Sequence, residues 1–222
     1  MNTNSNVYTI IYASVMVIIV AFVLAFVSSS LKETQDMNVR LDTKKQILSS
    51  INLRDSKDVA ADYTKIVKDN LMQEDGTLVE VSAEDFSSEY NTQILDKKYH
   101  VFVCTLGDET KYIFPVYGAG LWGPIWGYVA LNSDKKSVYG VYFGNEGETP
   151  GLGAEISTLP FQKRFDKKQV MKDGQVAIGV QKNAPQGDAY VVDGVSGGTI
   201  TSKGVNSMLK ACLSNYLPFL NK

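Results

Sequence analysis

Three short stretches of this chain carry residue types that could do chemistry. The first is Asp193-Gly194-Val195-Ser196-Gly197-Gly198-Thr199-Ile200-Thr201-Ser202, where small residues leave the backbone open to close approach and hydroxyls crowd together. Directly after it, Val205, Met208, Leu209, Cys212, Leu213, Tyr216 and Leu217 recur at the i, i+3, i+4, i+7 spacing of an amphipathic helix. Thr201 or Ser202 is the natural N-cap of that helix, and Pro218 marks its end. Glycines and hydroxyls at a helix N-terminus meet unpaired backbone N–H groups and the positive end of the helix dipole, which suits an anion such as a phosphate. An ordinary Gly-rich turn capped by Ser or Thr has the same spacing. The second stretch is Glu148-Thr149-Pro150-Gly151-Leu152-Gly153-Ala154-Glu155, a tight loop after a strand, read either as a turn with solvated carboxylates or as a loop that can lie against a planar ring. The third, Gly118-Ala119-Gly120-Leu121-Trp122-Gly123, spells G-x-G-x-x-G. The strand-like Pro124-Ile125-Trp126-Gly127-Tyr128-Val129 follows it, where a dinucleotide site needs a helix.

At these residues the chain resembles the covalent FMN-binding domains. Ser196-Gly197-Gly198-Thr199-Ile200-Thr201, preceded by Asp193, is similar to their S-G-A-T-x-T flavinylation signature, with Gly198 where Ala is usual. In that family FMN is joined through its phosphate to the threonine after the small residue, which is Thr199 here, with Thr201 as the fallback. Glu148-Thr149-Pro150-Gly151-Leu152-Gly153 matches the family's E-T-P-G-L-G loop without change. Gly120-Leu121-Trp122-Gly123 resembles the G-L-W segment of one branch, the C subunit of the sodium-translocating NADH:quinone oxidoreductase. An apolar anchor and the three motifs follow that branch's order along nearly the whole chain. The G subunit of the Rnf electron-transport complex shares the loop and threonine motifs, and is expected to lack the Trp-containing segment.

The resemblance implies an electron-relay subunit of a membrane NADH:quinone reductase, inactive alone, carrying FMN as a phosphoester on threonine. Its implied partners are the other subunits, a flavin transferase during maturation, and the membrane. Implied cofactor-binding residues are Thr199 as the attachment point, Ser196, Gly197, Gly198 and Thr201 near the phosphate, and Glu148, Thr149, Leu152, Gly153 and Trp122 near the ring. A core position is the equal alternative for Trp122. A stand-alone extracytoplasmic flavin reductase and an anchored scaffold without cofactor are the rival functions.

Several elements must position these residues. Residues 8–27 are uncharged and strongly apolar, long enough at 1.5 Å per residue to cross a hydrocarbon core of about 30 Å. No Lys or Arg precedes this run and it exceeds a signal-peptide core, so a retained single-span anchor is expected rather than a cleaved signal. Charge on the flanks leans weakly to a cytoplasmic domain. The resemblance implies the reverse, a domain on the periplasmic side of a bacterial inner membrane, and that is the expectation adopted. Residues 31–53 read as a helix continuing from the membrane with a break at Ser49-Ser50, and 58–71 again has helical spacing. From Tyr99 the pattern turns to strands: 99–106 and 111–116 around Gly107-Asp108, then 126–131 and 137–143 around Asn132-Ser133-Asp134, with shorter strands at 176–180 and 190–192. Residues 161–170 are either a helix or a basic exposed loop. The fold class expected is α+β, an N-terminal transmembrane helix followed by one FMN-binding domain with an antiparallel sheet and flanking helices. The domain division expected is 1–30 for the anchor, 31–95 for a helical connection and 96–222 for the FMN-binding domain.

Composition narrows the classes further. A net charge of −2 with scattered basic residues gives no nucleic-acid footprint. The single histidine, His100, leaves His-based triads and most zinc sites without ligands. Cys104 and Cys212 lie in apolar contexts and read as buried thiols, with a disulfide as the alternative.

Overall fold

The structure, a computed structural model, describes residues 5–81 and 98–222. They divide into two compact units, Met1–Leu41 and Asp42–Lys222. The expected boundary at 95/96 lies outside the described residues.

The first unit holds most of helix α1 (Asn6–Ser50). Its large apolar side chains from Val7 to Val27, among them Ile10, Val17, Phe22 and Phe26, are exposed, and an 18-residue window reaches a mean hydropathy of 3.0, long and apolar enough to cross a membrane. This is a candidate membrane span.

In the second unit the end of α1 buries Ile47 and Leu48, and the helix stops at Ser50, where the sequence suggested a break. Helix α2 (Val59–Ile66) follows, with the Asp58 carboxylate accepting from the Ala61 amide as its N-cap. The helical reading of 58–71 fails beyond Ile66. The chain turns extended at Val67 into β1 (Val67–Met72), which pairs with β2 (Leu78–Glu80) and β3 (His100–Leu106). Val67 and Leu71, four apart, look helical, but pairing opposite Cys104 and His100 overrides that local preference. Strands β4 (Glu109–Ala119), β5 (Pro124–Leu131) and β6 (Val138–Asn145) complete an antiparallel sheet ordered β2-β1-β3-β4-β5-β6. The hairpin turns fall at Gly107-Asp108 and 132–137, as the turn signals predicted.

The region 161–170 combines its two readings, helical to Phe165 and a turn carrying exposed Lys167 beyond it. A 3-10 turn (Gly153–Ser157) leads to the short helix α3 (Leu159–Gln162) and a second 3-10 turn (Lys163–Phe165). Phe161 and Phe165 enter the core while Lys163 and Arg164 stay outside. The expected strand at 176–180 is split between β7 (Met171–Lys172) paired with β8 (Gln175–Val176), and β9 (Gly179–Gln181) paired parallel with β10 (Val191–Asp193). The C-terminal helix α4 (Thr199–Ser214) and the short α5 (Leu217–Leu220) close the fold. Gly198 is the N-cap of α4, so the helix begins before Thr201 and Ser202, which lie buried in its first turn. Pro218 opens α5 rather than ending α4.

Strand alternation feeds two cores, one on each face of the sheet. Val101, Phe114, Val116, Val129 and Leu131 pack with Val205, Leu209, Leu213 and Tyr216 of α4 and the turn after it. Phe102, Cys104, Ile113, Tyr128 and Ala130 pack with Ile47, Leu48 and Tyr63. Both cysteines are free and buried. Burial pushes the Cys104 thiol up to about 11. Cys212 Sγ bridges the backbone of Tyr117 in β4, donating to its carbonyl at 3.2 Å and accepting from its amide at 3.4 Å.

Candidate functional site

The three motifs come from distant parts of the chain and meet at one carboxylate. Residues 120–123 form the tight link between β4 and β5, closed by Gly120 N donating to Gly123 O at 2.8 Å. A strand follows this G-x-G-x-x-G, as the sequence indicated, so the dinucleotide context is absent. Glu148 lies just beyond β6, where its amide donates to Asn145 Oδ1 at 3.1 Å. Its side chain turns inward and is 6 % exposed. Oε1 accepts from the amides of Leu121 at 2.7 Å and Trp122 at 2.9 Å, and Oε2 accepts from Thr201 Oγ1 at 2.5 Å. Burial pushes the Glu148 carboxyl up, but the bonds from Thr201 and the Trp122 and Leu121 amides outweigh it and hold the group below the usual carboxylate range. Gly120 and Gly153 enclose this carboxylate so closely that a Cβ on either would collide with its oxygens. Those two positions therefore require glycine for space.

The Thr149 carbonyl accepts from Leu152 N and Ala154 N, both at 3.1 Å, which folds Pro150-Gly151 into a turn and pushes Leu152 outward. Leu152 lies against Gly197, whose φ of 77° is left-handed; a Cβ there would come within 2.5 Å of Leu152 Cδ2. Behind the threonine loop, Ser202 Oγ accepts from Val195 N at 2.9 Å, and Arg164 donates to the carbonyls of Asp193 at 3.0 Å and Gly194 at 3.3 Å.

The two candidate acceptor hydroxyls are sorted by this packing. Thr201 is 1 % exposed and its hydroxyl is bonded to Glu148. Thr199, the first residue of α4, is exposed, as are Ser196 and Gly197, while Gly198 is buried. The amides of Thr199, Ile200 and Thr201 have no acceptor among the described residues, so three N–H groups stand free at the positive end of a helix. Thr199 opens onto a cleft of about 570 Å³ that also borders Ser196, Gly197, Lys182, Asn183 and Lys203. Leu121, Trp122, Leu152 and Ile200 are exposed apolar side chains in the same three motif stretches, with Trp122 at 69 %, so the core reading of Trp122 is corrected. The structure thus brings Trp122, Thr149, Leu152 and Thr199 to the surface, with Glu148, Gly153, Gly198 and Thr201 beneath them. A larger cleft of about 610 Å³, lined by Lys135, Lys136, Asp173 and Lys222 among others, shares no residue with the motifs.

Sequence reasoning passed over Lys203, Lys182 and Asn183. Lys203 was findable, since it lies four residues after Thr199 on the same helix face. Lys182 and Asn183 reach the cleft only through the β9–β10 pairing, which no local pattern announces.

Gly198, where Ala is usual, tests how tightly the layers fit. A Cβ there would lie 3.1 and 3.2 Å from Val195 side-chain carbons and 3.3 Å from Gly153 N, at a φ of −106° open to any residue. Gly198→Ala is expected to change stability by no more than about 1 kcal/mol, with a weaker helix cap opposing a less flexible unfolded chain. Urea unfolding with an unchanged slope checks this.

Residues 120–214 match the family model described as FMN-binding domain. The residues present fit such a group, with the exposed Thr199 hydroxyl and two lysines around one cleft and the free amides of the α4 first turn beside it. The C subunit of the Na(+)-translocating NADH-quinone reductase of Haemophilus ducreyi is 29 % identical, over 100 % of this chain and 95 % of that one. The corresponding protein of Yersinia pestis is 41 % identical over 52 % of this chain and 45 % of its own. The crystal structure of the same subunit from Parabacteroides distasonis superimposes with a TM-score of 0.78 at 41 % identity, covering 86 % of this chain and 98 % of that one. Shewanella oneidensis NqrC, at 24 % identity and a TM-score of 0.69 over 83 % and 97 % of the two chains, shares the fold. With its long apolar helix, its antiparallel sheet and its convergent motif loops, the chain belongs to the NqrC family, the C subunits of the Na(+)-translocating NADH-quinone reductase.

Proposed function

We propose that this chain is the electron-relay subunit of a membrane Na+-translocating NADH:quinone oxidoreductase, with FMN esterified through its phosphate to Thr199 Oγ1. The observation that carries the assignment is the contrast between two hydroxyls two residues apart, Thr199 open to a cleft and Thr201 buried against Glu148. When bound, FMN supplies the redox chemistry. The protein holds and orients it. Thr199 provides the oxygen. Its Oγ1–P bond forms as the phosphoanhydride P–O bond of the flavin donor breaks; a nucleoside monophosphate leaves and the hydroxyl proton passes to solvent. The free amides of Thr199, Ile200 and Thr201 favour the phosphate charge, with Ser196 and Gly197 beside it. Trp122, Thr149 and Leu152 border the ring, while Glu148 and Gly153 hold their loops in register from below. Leu152 and Trp122 at the surface leave the ring edge open to a partner, which relay between subunits requires. This reading keeps the expectation, drawn from the resemblance, that residues 1–30 anchor the chain and that the FMN-binding domain of residues 96–222 lies on the periplasmic side. There a covalent link prevents loss of the cofactor by dilution, and a flavin transferase completes the protein.

The test is the intact mass of the native chain, together with the proteins that co-purify with it from a mild detergent extract. The expected result is a mass increased by one esterified FMN and recovery with the other subunits of an NADH:quinone reductase. A mass equal to the polypeptide alone overturns the flavin assignment. A flavinylated chain recovered with an Rnf-type complex moves it to that assembly.

A further inference from the structure

Resting on the reading above, we infer that Lys182 and Lys203 are a cation pair that holds the flavin phosphodiester on Thr199 at the cleft between the β9–β10 pair and α4. Thr199 and Lys203 are four residues apart on α4, so their side chains share one helix face, and both line the cleft. Lys182 follows β9 and lines the same cleft from the other element. Both lysines are exposed, and neither has a hydrogen-bond or ion-pair partner among the described residues.

The charges in the cleft support the same ligand. Its lining contains the two lysines and one carboxylate, Asp193, whose Oδ1 accepts from Ala184 N at 3.3 Å. The cleft is therefore cationic by one charge, and a phosphodiester carries one negative charge. Two lysines on separate elements supply point charges that adapt to a tetrahedral group without demanding one geometry. The free amides of the α4 first turn add donors directed along the helix axis. The cleft, at about 570 Å³, lies within the size range of small-ligand sites.

The test uses the full chain in detergent with a purified flavin transferase and its flavin donor. Wild type, Lys182→Gln, Lys203→Gln, the double variant and the control Lys210→Gln, an exposed lysine outside the cleft, are compared. Covalent loading is followed by in-gel fluorescence, and the loaded chains by phosphorus NMR. The double variant is expected to load about tenfold more slowly at low salt, with the gap closing near 1 M salt as charges are screened. In its loaded form the phosphorus resonance should narrow and move toward that of a free flavin phosphodiester, while Lys210→Gln matches wild type. An identical resonance in wild type and double variant overturns the lysine pair, even if loading slows, since slower loading alone reports contact with the transferase. A wild-type chain that takes up no flavin overturns the underlying reading and the pair with it.

Discussion

Thr199→Val should abolish the covalent flavin while leaving the fold intact. Valine has nearly the volume of threonine but no oxygen to carry an ester. The side chain is exposed and makes no hydrogen bond that valine would lose, so unfolding stability should stay within about 0.5 kcal/mol of wild type. The opposite pattern is expected two residues on. Thr201→Val leaves the buried Glu148 carboxylate without the donor on Oε2, at a cost of about 1–3 kcal/mol, yet keeps the fluorescent band on a denaturing gel. The two variants together separate attachment from support. A band that survives Thr199→Val and disappears with Thr201→Val would place the ester on Thr201 and refute the assignment made from exposure.

Glu148 carries the second large effect. Glu148→Ala leaves the Thr201 hydroxyl and the Leu121 and Trp122 amides without their common acceptor, and it empties the space between Gly120 and Gly153. A loss of about 3 kcal/mol is expected from these charge-assisted bonds. Slower flavin loading should accompany it, because three loops lose their common tie. Glu148→Gln preserves the shape and should cost less, about 1 kcal/mol. The charge leaves a pH signature. The folded-state pKa lies below the ordinary carboxylate value, so the stabilisation is fully present above about pH 4.3 and is lost as pH falls through the folded value. Unfolding measured from pH 7 down to pH 3 should show this loss in wild type, and Glu148→Gln should lack its contribution. Equal pH slopes in the two proteins would show that folding does not shift the Glu148 pKa. A double-mutant cycle with Thr201→Val then isolates the coupling between the two side chains.

The architecture these variants probe was partly legible beforehand. The strands from His100 to Asn145 followed from alternation and turn residues, because each hairpin closes over a short span. The apolar face of α4 followed from spacing alone, and Val205, Met208, Leu209, Cys212 and Leu213 are all buried. The cap of α4, expected at Thr201 or Ser202, lies three or four residues earlier. Hydroxyls attract an N-cap assignment, but here Thr201 and Ser202 commit theirs to Glu148 and Val195, leaving Gly198 at the cap. The β1 strand was hidden for a related reason. Its hydrophobic residues fit a helix, and only pairing with β3, distant along the chain, draws them into a sheet.

The amino-acid order by itself determined the apolar helix, the three motif stretches and the amphipathic face that packs α4 on the sheet. All of these depend on residues a few positions apart, where local geometry and side-chain type suffice. Tertiary structure alone decided that Trp122, Leu121 and Thr201 share the Glu148 carboxylate, that Thr199 rather than Thr201 meets solvent, and that Lys182 lies across a cleft from Lys203. Those outcomes depend on sheet register and loop packing. A buried carboxylate accepting bonds from residues 26, 27 and 53 positions away leaves no trace in spacing, because only the folded chain brings its donors within reach.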